Sequence, residues 1–475
     1  MFTKYFFLKN NLYNSNRTAV ITEKNVKISY ALLFKDIKNY SKHIQKNNIL
    51  LILSNNSYET LITYLSCIYN KTLPIFLDEN IRPNKLKEII HKFKPNYIWS
   101  PSDIKFLKEK YSKKNISEKN ILYKSDFFYN HKIDPKIAIL LSSSGSTGSS
   151  KFIKISFKNL RHNTKTISQY LKLDKNDKTI INLPFNYSYG LSLVNTHLFV
   201  GGKILLTKSS ILSKGFWNTF KNFKPTNLNG VPYTYDLLTK LYLNKIDFSC
   251  LKFITQAGGI LNKEIIKKLI INSRKYNFKL YIMYGQTEAS PRISYLEPNL
   301  VEKKIGSIGK PIKGGKIWIE DENNNIIKYP FQEGELIYEG PNVFMGYANN
   351  KKDLKKGYIS SNILRTGDIA EYDNEGFYFI KGRKNRYSKI YGNRVNIAEI
   401  ENIFSNYQYP IVCSIKDNYL NIYCEKIINS NDLLNILKNN TTIPINRCKI
   451  YIIKKIPRTN SGKVNYSKLD TNNVG

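Results

Sequence analysis

The sequence predicts an α/β protein, and two observations carry that prediction. Short apolar stretches typical of buried strands alternate with amphipathic, helix-like stretches through the first half of the chain and beyond. Alternation of this kind implies parallel sheets covered by helices. From about residue 306 the pattern changes to short alternating strands separated by Gly, Asn and Asp, which predicts a small β subdomain.

The predicted elements follow in order along the chain. The first are a strand at 49–54, a helix at 58–69, a strand at 72–78, a helix at 83–93 and a strand at 95–100. The alternation of predicted strands and helices continues later in the chain, with strands in "KTIINLPF" and "GKILLTK", helix "GFWNTFKNF", strand "PTNLNGVP", helix "YTYDLLTKL", strand "LKFITQAGG", helix "KEIIKKLIINS" and strand "KLYIMYG". The β subdomain contains "GKIWIED", "GELIYEG" and "GFYFIKGR". A compact α+β unit follows, with helices "IAEIENIF" and "NDLLNILKN" and strands "YPIVCSI", "LNIYCE" and "CKIYIIKKI".

Composition narrows the class of protein. The 475 residues carry a net charge of +38, but Lys and Arg are scattered along the chain and form no dense stripe, which argues against a dedicated nucleic-acid role. The charge then reflects either genome composition or attraction to an acidic partner. The five cysteines show no CxxC spacing, so we expect neither a disulfide framework nor a zinc site. We expect no membrane span and no signal peptide, and therefore a cytoplasmic protein.

Three loops rich in Gly, Ser and Thr follow predicted strands: "SSSGSTG", "QAGGI" and "YGQTE". In parallel sheets, ligands bind beyond the carboxyl ends of the strands. Successive small residues let backbone N–H groups converge on an anion, so the loop within "LLSSSGSTGSSK" (140–151) suits a phosphate. The spacing matches neither a Walker loop nor a G-x-S-x-G elbow. Taken by itself, this loop is equally compatible with a plain linker.

Five motifs in the same order along nearly the whole chain resemble those of the adenylate-forming superfamily. That superfamily comprises acyl- and aryl-CoA synthetases, adenylation domains of peptide synthetases, and luciferases. The motifs are "SSGSTGSSKF", "TQAGGI" (255–260), "YGQTEAS" (284–290), the "RTGD…GRKN…YGNRVNIAEIE" region, and "IPRTNSGKVNY" (456–466). The first departs from the family pattern at Ser150 and Phe152.

The resemblance assigns expected roles to individual residues. Lys463, Thr287 and Glu288 would be catalytic, with Glu288 also holding Mg²⁺. The residues expected to bind ATP are Ser143, Ser144, Gly145, Ser146, Thr147, Gly148, Lys151, Gly258, Gly259, Tyr284, Gly285, Asp368, Arg383 and Lys389.

The resemblance also implies two domains and a hinge. An N-terminal AMP-binding domain would span 1–384, with its β subdomain at about 306–384, and a smaller, mobile C-terminal domain carrying the lysine would span 385–475. Asn385 stands at the family's hinge position, where Asp or Lys is usual, and Gly392 would line a tunnel for a pantetheine thiol.

The acid is less well specified than the chemistry. Asn186, Tyr187 and Tyr233 are expected to line the acyl pocket, and Tyr189 and Tyr235 either join them or pack in the core. Peptide-synthetase domains carry an Asp where this chain has Asn186, so an acid without an α-amino group is favoured.

The predicted function is ATP-dependent activation of a carboxylic acid as an acyl-adenylate, with release of pyrophosphate. Transfer to the pantetheine thiol of coenzyme A or of an acidic acyl carrier protein would follow. The alternatives are an amino-acid adenylating enzyme that loads a carrier protein, an enzyme that stops at the adenylate or uses a non-thiol acceptor, and a non-catalytic nucleotide- or protein-binding member.

Overall fold

The computed structural model describes residues 12–117, 120–142, 151–243, 245–358, 362–384, 387–390, 393–406, 409, 411–416, 419–425, 429–441, 443–459 and 462–469. The helices in these ranges are α1 (Tyr30–Ser41), α2 (Tyr58–Asn70), α3 (Pro83–Phe93), α4 (Phe157–Tyr170), α5 (Ser188–Val200), α6 (Lys214–Phe223), α7 (Pro232–Leu241), α8 (Lys263–Tyr276), α9 (Ile397–Asn406) and α10 (Ser430–Asn440).

The strands before residue 290 are β1 (Thr18–Ile21), β2 (Lys27–Ser29), β3 (Ile49–Ser54), β4 (Leu73–Asp78), β5 (Tyr97–Ser100), β6 (Tyr111–Ser117), β7 (Asn120–Ser125), β8 (Ile137–Ser142), β9 (Phe152–Ser156), β10 (Lys178–Ile181), β11 (Lys203–Leu206), β12 (Asn227–Gly230), β13 (Phe253–Gln256) and β14 (Lys279–Tyr284). Those after it are β15 (Ser294–Leu296), β16 (Ser307–Pro311), β17 (Lys316–Glu320), β18 (Gly334–Glu339), β19 (Tyr347–Ala348), β20 (Ile363–Tyr372), β21 (Tyr378–Arg383), β22 (Tyr387–Ile390), β23 (Asn393–Asn396), β24 (Ile411–Lys416), β25 (Tyr419–Cys424) and β26 (Cys448–Ile452).

Two large sheets form most of the molecule. The larger has the order β17-β18-β20-β21-β16-β15-β14-β13-β12-β10-β11-β1-β2, and the stretch from β14 to β1 is parallel. The second has the order β19-β9-β8-β4-β3-β5-β7-β6, with β8, β4, β3 and β5 parallel. The predicted parallel sheets of an α/β fold are therefore confirmed.

Helices α2 and α5 lie between the two sheets. The central residues of α2 and nearly all residues of α5 are buried, which is the pattern of helices enclosed by other elements. The hydroxyl of Tyr64 on α2 donates to Asn195 on α5 at 3.1 Å. One core cluster joins these helices to apolar side chains of both sheets, and two further clusters cover the outer sheet faces. The strand ends of both sheets are thus held on one packed scaffold.

The β strands after residue 306 continue the larger sheet. Strand β16 pairs with β15 on one side and β21 on the other, so the sheet runs without a break into β17, β18, β20 and β21. Strand β19 instead joins the second sheet through β9.

The C-terminal part has its own packing. Strands β24, β25 and β26 form a three-stranded sheet, and α9 and α10 cover it with a separate apolar cluster. The predicted α+β character of this part is confirmed. Strands β22 and β23 form a two-stranded hairpin that precedes it.

Candidate active site

The carboxyl ends of four neighbouring parallel strands meet at one edge of the larger sheet. Strands β10, β12, β13 and β14 end at Ile181, Gly230, Gln256 and Tyr284. The segments that follow them contain the residues expected from the motifs: 186–187, 233, 258–259 and 284–288. Parallel neighbours end at the same side of the sheet, so the strand order brings these segments to one edge.

Most of the predicted phosphate loop lies outside the described residues. Ser143, Ser144, Gly145, Ser146, Thr147 and Gly148 all fall there, and their expected role stays a prediction. The flanking residues are described: Ser142 ends β8, and the exposed Lys151 precedes β9. Phe152 pairs with both Ser142 and Ala348, which brings the two ends of the loop beside β19.

Asp368, Arg383 and Tyr284 form a hydrogen-bonded cluster in which Asp368 is buried. Asp368 and Arg383 are directly opposite in the β20–β21 pairing, and the Arg383 Nε donates to Asp368 Oδ1 at 2.7 Å. The Tyr284 hydroxyl donates to the other carboxylate oxygen. Burial and the neighbouring carboxylate raise the pKa of Tyr284 well above its usual value, so this phenol stays a donor. The sequence marked these three residues separately, and the structure brings them together.

Thr287 and Glu288 lie in the turn after β14. Thr287 is buried, and its hydroxyl is 3.0 Å from that of Ser188 at the start of α5. The Glu288 carboxylate accepts a hydrogen bond from the Tyr347 hydroxyl at 3.0 Å, and its carbonyl accepts from the Phe344 N–H at 2.8 Å. These contacts join the turn to β19 and so to the strand pair that flanks the predicted phosphate loop.

Lys463 reaches this cluster from the C-terminal part of the chain. Its Nζ lies 5.5 Å from the centroid of the Tyr187 ring. Burial lowers the pKa of its amine, and Arg383 lowers it further, while Glu288 and Asp368 act in the opposite direction. The contact with Tyr187 thus brings the predicted lysine to the strand ends that carry the other predicted residues.

A tight turn positions Lys463. The Thr459 N–H donates to the Lys463 carbonyl at 2.7 Å, and the Gly462 N–H donates to the Thr459 carbonyl at 2.8 Å. Gly462 has φ +80°, and a Cβ there would lie 2.9 Å from Val231 Cγ2. Both the backbone conformation and the lack of space therefore disfavour a side chain at this position. The exposed Arg458 packs its guanidinium over the Tyr233 ring at 4.4 Å.

The two glycines after β13 allow aromatic and proline side chains to pack closely. A Cβ at Gly258, which has φ +91°, would lie 2.4 Å from the Tyr187 hydroxyl, and one at Gly259 would lie 3.2 Å from Pro232 Cγ. At Gly285 an added Cβ would overlap the Pro291 carbonyl at 1.9 Å. All three predicted glycines therefore make close approaches at the strand ends.

The predicted acyl-pocket residues divide into two groups. Asn186, Tyr187 and Tyr233 are half-buried beside the strand ends, and burial raises the pKa of Tyr187 to about 12. Tyr189 and Tyr235 are fully buried, and both hydroxyls donate to the Thr255 carbonyl. These last two hydroxyls therefore belong to the packed core.

Three more predicted residues belong to the start of the C-terminal part. Lys389 lies on β22 opposite Arg394 of β23, and this backbone register is what the structure describes of it. Asn385 and Gly392 lie outside the described residues, so the hinge and the thiol tunnel stay predictions.

Four site residues were missed in the sequence: Ser188, Tyr347, Arg458 and Arg292. Ser188 directly follows the predicted pocket residue Tyr187, and Arg292 stands two residues after the motif "YGQTEAS", so proximity to these residues could have singled them out. Arg458 belongs to "IPRTNSGK", where only the lysine was assigned a role. Tyr347 carries no sequence signal that we can identify, because its contact with Glu288 depends on the pairing of β19 with β9.

Mg²⁺ needs oxygen ligands, and the described residues offer few at this site. In the part of the chain that is described, no group of three or more His, Cys, Asp or Glu side chains could hold a metal ion by itself. Glu288 offers a carboxylate, and Mg²⁺ is commonly held by one or two carboxylates, with substrate phosphates and water as the other ligands. The site therefore fits Mg²⁺ that arrives with a nucleotide.

Comparison with known proteins identifies the family. The family model described as "AMP-binding enzyme" matches residues 7–348. This chain belongs to the AMP-binding enzyme family. The 2-succinylbenzoate–CoA ligase of Oceanobacillus iheyensis is 24% identical, over 97% of this chain and 98% of that enzyme.

Solved structures share the two-part architecture. The o-succinylbenzoate CoA synthetase of Bacillus subtilis, solved with its acyl-adenylate intermediate, has a TM-score of 0.78 at 20% identity, over 97% of this chain and 96% of that one. ATP-bound MatB of Rhodopseudomonas palustris has a TM-score of 0.82 at 20% identity, over 98% of both chains.

Several predictions are thereby confirmed. The family match confirms the predicted adenylate-forming superfamily. The relatives named as CoA ligases confirm the predicted class of AMP-forming acid–thiol ligases. ATP with magnesium, the predicted cofactors, is bound in a further structure of the Bacillus subtilis enzyme. In the described residues, no helix is long and apolar enough to cross a membrane.

Proposed function

We propose that this enzyme activates a small-molecule carboxylic acid with ATP and transfers the acyl group to the thiol of coenzyme A. The observation that carries the proposal is the position of Lys463, whose Nζ lies 5.5 Å from the Tyr187 ring at the strand ends that also carry Glu288 and the Asp368–Arg383 pair. This places a cation beside a carboxylate that fits Mg²⁺ and beside an acid–arginine pair. Such an arrangement suits a reaction in which crowded negative charges must be brought together.

In the first step, the acid's carboxylate oxygen attacks the α-phosphorus of ATP, and the bond to the pyrophosphate oxygen breaks. No protein base is needed, because the nucleophile is already an anion. Lys463 would lie between the incoming carboxylate and the α-phosphate and offset their repulsion. Thr287 would donate to the α-phosphate, with its hydroxyl oriented by Ser188 at 3.0 Å. Glu288 would hold Mg²⁺, which neutralises phosphate charge when bound.

The nucleotide's sugar and base would lie against the cluster of Asp368, Arg383 and Tyr284. Asp368 would accept hydrogen bonds from the ribose hydroxyls, and Arg383 fixes that carboxylate at 2.7 Å. Tyr284 and the backbone at Gly258 and Gly259 would border the adenine. The close packing of the two glycines against Tyr187 and Pro232 supports a backbone surface there that a flat base can approach.

In the second step, a thiolate attacks the acyl carbon of the adenylate, and AMP leaves with the bonding electrons. Coenzyme A is the proposed acceptor because the relatives are named as CoA ligases. An acidic carrier protein is the competing acceptor, and the net charge of +38 would accelerate its encounter at low salt. Carrier-dependent turnover that falls as salt rises from low to physiological levels would favour that acceptor.

Acid-dependent ATP–pyrophosphate exchange tests the proposal. Wild-type enzyme is assayed with fatty, aryl, hydroxy, dicarboxylic and amino acids, beside Lys463→Ala and a matched control at the exposed Lys455. We expect exchange with one class of acid, a loss of about 100-fold or more in Lys463→Ala, and wild-type rates in Lys455→Ala.

Two results would redirect the assignment. Exchange confined to amino acids would identify an amino-acid adenylating enzyme. No exchange with any acid, and no AMP release when coenzyme A and a carrier protein are both added, would leave a protein that binds without catalysis.

A further inference from the structure

Arg292 is a buried charge without a counter-ion in the described residues. Its side chain is among the largest fully buried ones, with a residue exposure of 2%. The Nε atom is buried and has no hydrogen-bond partner, and no ion pair to Arg292 occurs within the described ranges. The undescribed segment 143–150 contains no acidic residue. Burying a guanidinium without an anion costs folding free energy, so a buried arginine at this position calls for a functional explanation.

The neighbours of the guanidinium are tyrosines. Its central carbon lies 5.2 Å from the centroid of the Tyr189 ring. Its charge also acts on Tyr170 and Tyr187, whose pKa values it holds lower than burial by itself would. Aromatic faces and hydroxyl groups stabilise a cation in part, but none of them neutralises it. The surroundings therefore suit an anionic ligand beside the guanidinium.

The location of Arg292 relates it to the candidate active site. It follows the turn that carries Thr287 and Glu288, and its carbonyl accepts from Asn342 Nδ2 at 2.7 Å, which fixes the backbone there. The adjacent Ile293 N–H donates to the Tyr284 carbonyl at 3.0 Å. The arginine is thus anchored to the end of the same strand that contributes the predicted catalytic turn.

Tyr187 connects this cation to Lys463. The Lys463 Nζ lies 5.5 Å from the Tyr187 ring, and the Tyr187 and Tyr189 rings are 6.2 Å apart, with Arg292 over Tyr189. Two cations therefore lie against the same pair of tyrosine rings, Lys463 at Tyr187 and Arg292 at Tyr189. An acid whose reacting carboxylate lies at Lys463 would extend past Tyr187 toward Arg292.

We propose that the substrate is a dicarboxylic acid, whose second carboxylate pairs with Arg292 while the first is activated beside Lys463. This inference rests on the proposed function and specifies its substrate. Arg292 acts as a specificity-determining residue, because an acid with an apolar or cationic distal end would leave the guanidinium buried and unpaired. Asn186, in place of an ammonium-binding Asp, is consistent with an anionic rather than an ammonium group in this pocket.

The test compares each diacid with its own monomethyl ester in ATP–pyrophosphate exchange. The probes are succinate, glutarate, adipate, phthalate and 2-succinylbenzoate. For at least one diacid, we expect kcat/KM in the wild-type enzyme to exceed that of its half-ester by about 100-fold. Arg292→Met should lose about 100-fold with the diacid and change less than about threefold with the half-ester. Arg292→Lys, which keeps the charge, should recover part of the loss, mainly through KM.

Several results would overturn the proposal. These are wild-type preference for a monocarboxylic acid over every diacid, no exchange with any diacid, or an equal loss for diacid and half-ester in a folded Arg292→Met variant. Thermal unfolding of each variant establishes folding, and if Arg292→Met does not fold, the wild-type comparison and Arg292→Lys decide. A monocarboxylic preference with loss in Lys463→Ala would overturn this inference and leave the proposed function standing.

Discussion

The two sides of the candidate site are built in different ways. On the side of the large sheets, Tyr284, Thr287 and Asp368 are held by hydrogen bonds to other buried or partly buried groups on the packed scaffold. On the other side, Lys463 comes from a C-terminal part with its own apolar clusters. This part meets the strand ends through Lys463, which lies over the Tyr187 ring, and through Arg458, which lies over the Tyr233 ring. The first side is preorganised, and the second is docked onto it.

This difference separates two kinds of substitution. A change on the sheet side alters a surface that every bound nucleotide or adenylate would touch, so both reaction steps should suffer. A change in the docked segment alters only the contact between the C-terminal part and the strand ends. The apolar cores of both parts do not depend on that contact.

Asp368→Asn should give the largest loss on the sheet side. It removes the carboxylate that pairs with Arg383 and accepts from Tyr284, leaving a guanidinium without its anion. We expect kcat/KM for ATP to fall by about 100-fold or more, and adenylate formation and thiol transfer to fall together. Asp373→Asn is the matched control, since Asp373 pairs with Lys304 at 2.7 Å outside the site. Loss confined to one step would contradict a shared, preorganised surface.

Gly462→Ala should disturb the docked side more selectively. The added Cβ would lie 2.9 Å from Val231 Cγ2, at a backbone φ of +80°. We expect adenylate formation to slow by about tenfold, corresponding to about 1.4 kcal/mol. Gly376→Ala separates the two causes, because Gly376 has φ +75° with nothing within 4 Å of an added Cβ. Equal effects of the two variants on adenylation would show that contact with Val231 is unimportant.

The pH dependence of adenylation should show a smaller but specific effect of Lys463. Burial disfavours its charged form, so the amine loses its proton below the ordinary lysine value of 10.5. Since the reaction needs the ammonium, kcat/KM should fall on the alkaline side at a pH below that value. In Lys463→Arg the residual activity should lack this limb, because guanidinium stays protonated. A limb that is identical in both proteins would assign it to another group.

The strand-end loops were predictable because their motifs consist of glycine and hydroxyl residues at defined spacings, which can be read directly from the sequence. Alternation of strands and helices likewise predicted the parallel sheets. The sequence did not predict which distant strands pair. Strand β16 pairs with both β15 and β21 and so extends the larger sheet. Such pairing depends on which strand edges meet, and the residue pattern of a single strand does not specify that.

The sequence also did not predict which single polar residues are buried. Arg292 reads as an ordinary charged residue next to the strand "ISYL", and only the packing of α4, α5 and the loop around it reveals a buried cation. Tyr235 looks like a pocket residue from its neighbours in sequence, yet its hydroxyl bonds the Thr255 carbonyl within the core. Both outcomes depend on which elements pack together.

The most direct measurement separates the two half-reactions in Lys463→Ala under single-turnover conditions. One assay follows acyl-adenylate formation from ATP and acid, and the other follows thioester formation from supplied acyl-adenylate and coenzyme A. Our account predicts that adenylate formation falls by about 100-fold or more while thiol transfer stays within about threefold of wild type. Equal losses in both assays, or no loss in the first, would contradict the claim that Lys463 is docked onto this site to serve the first step.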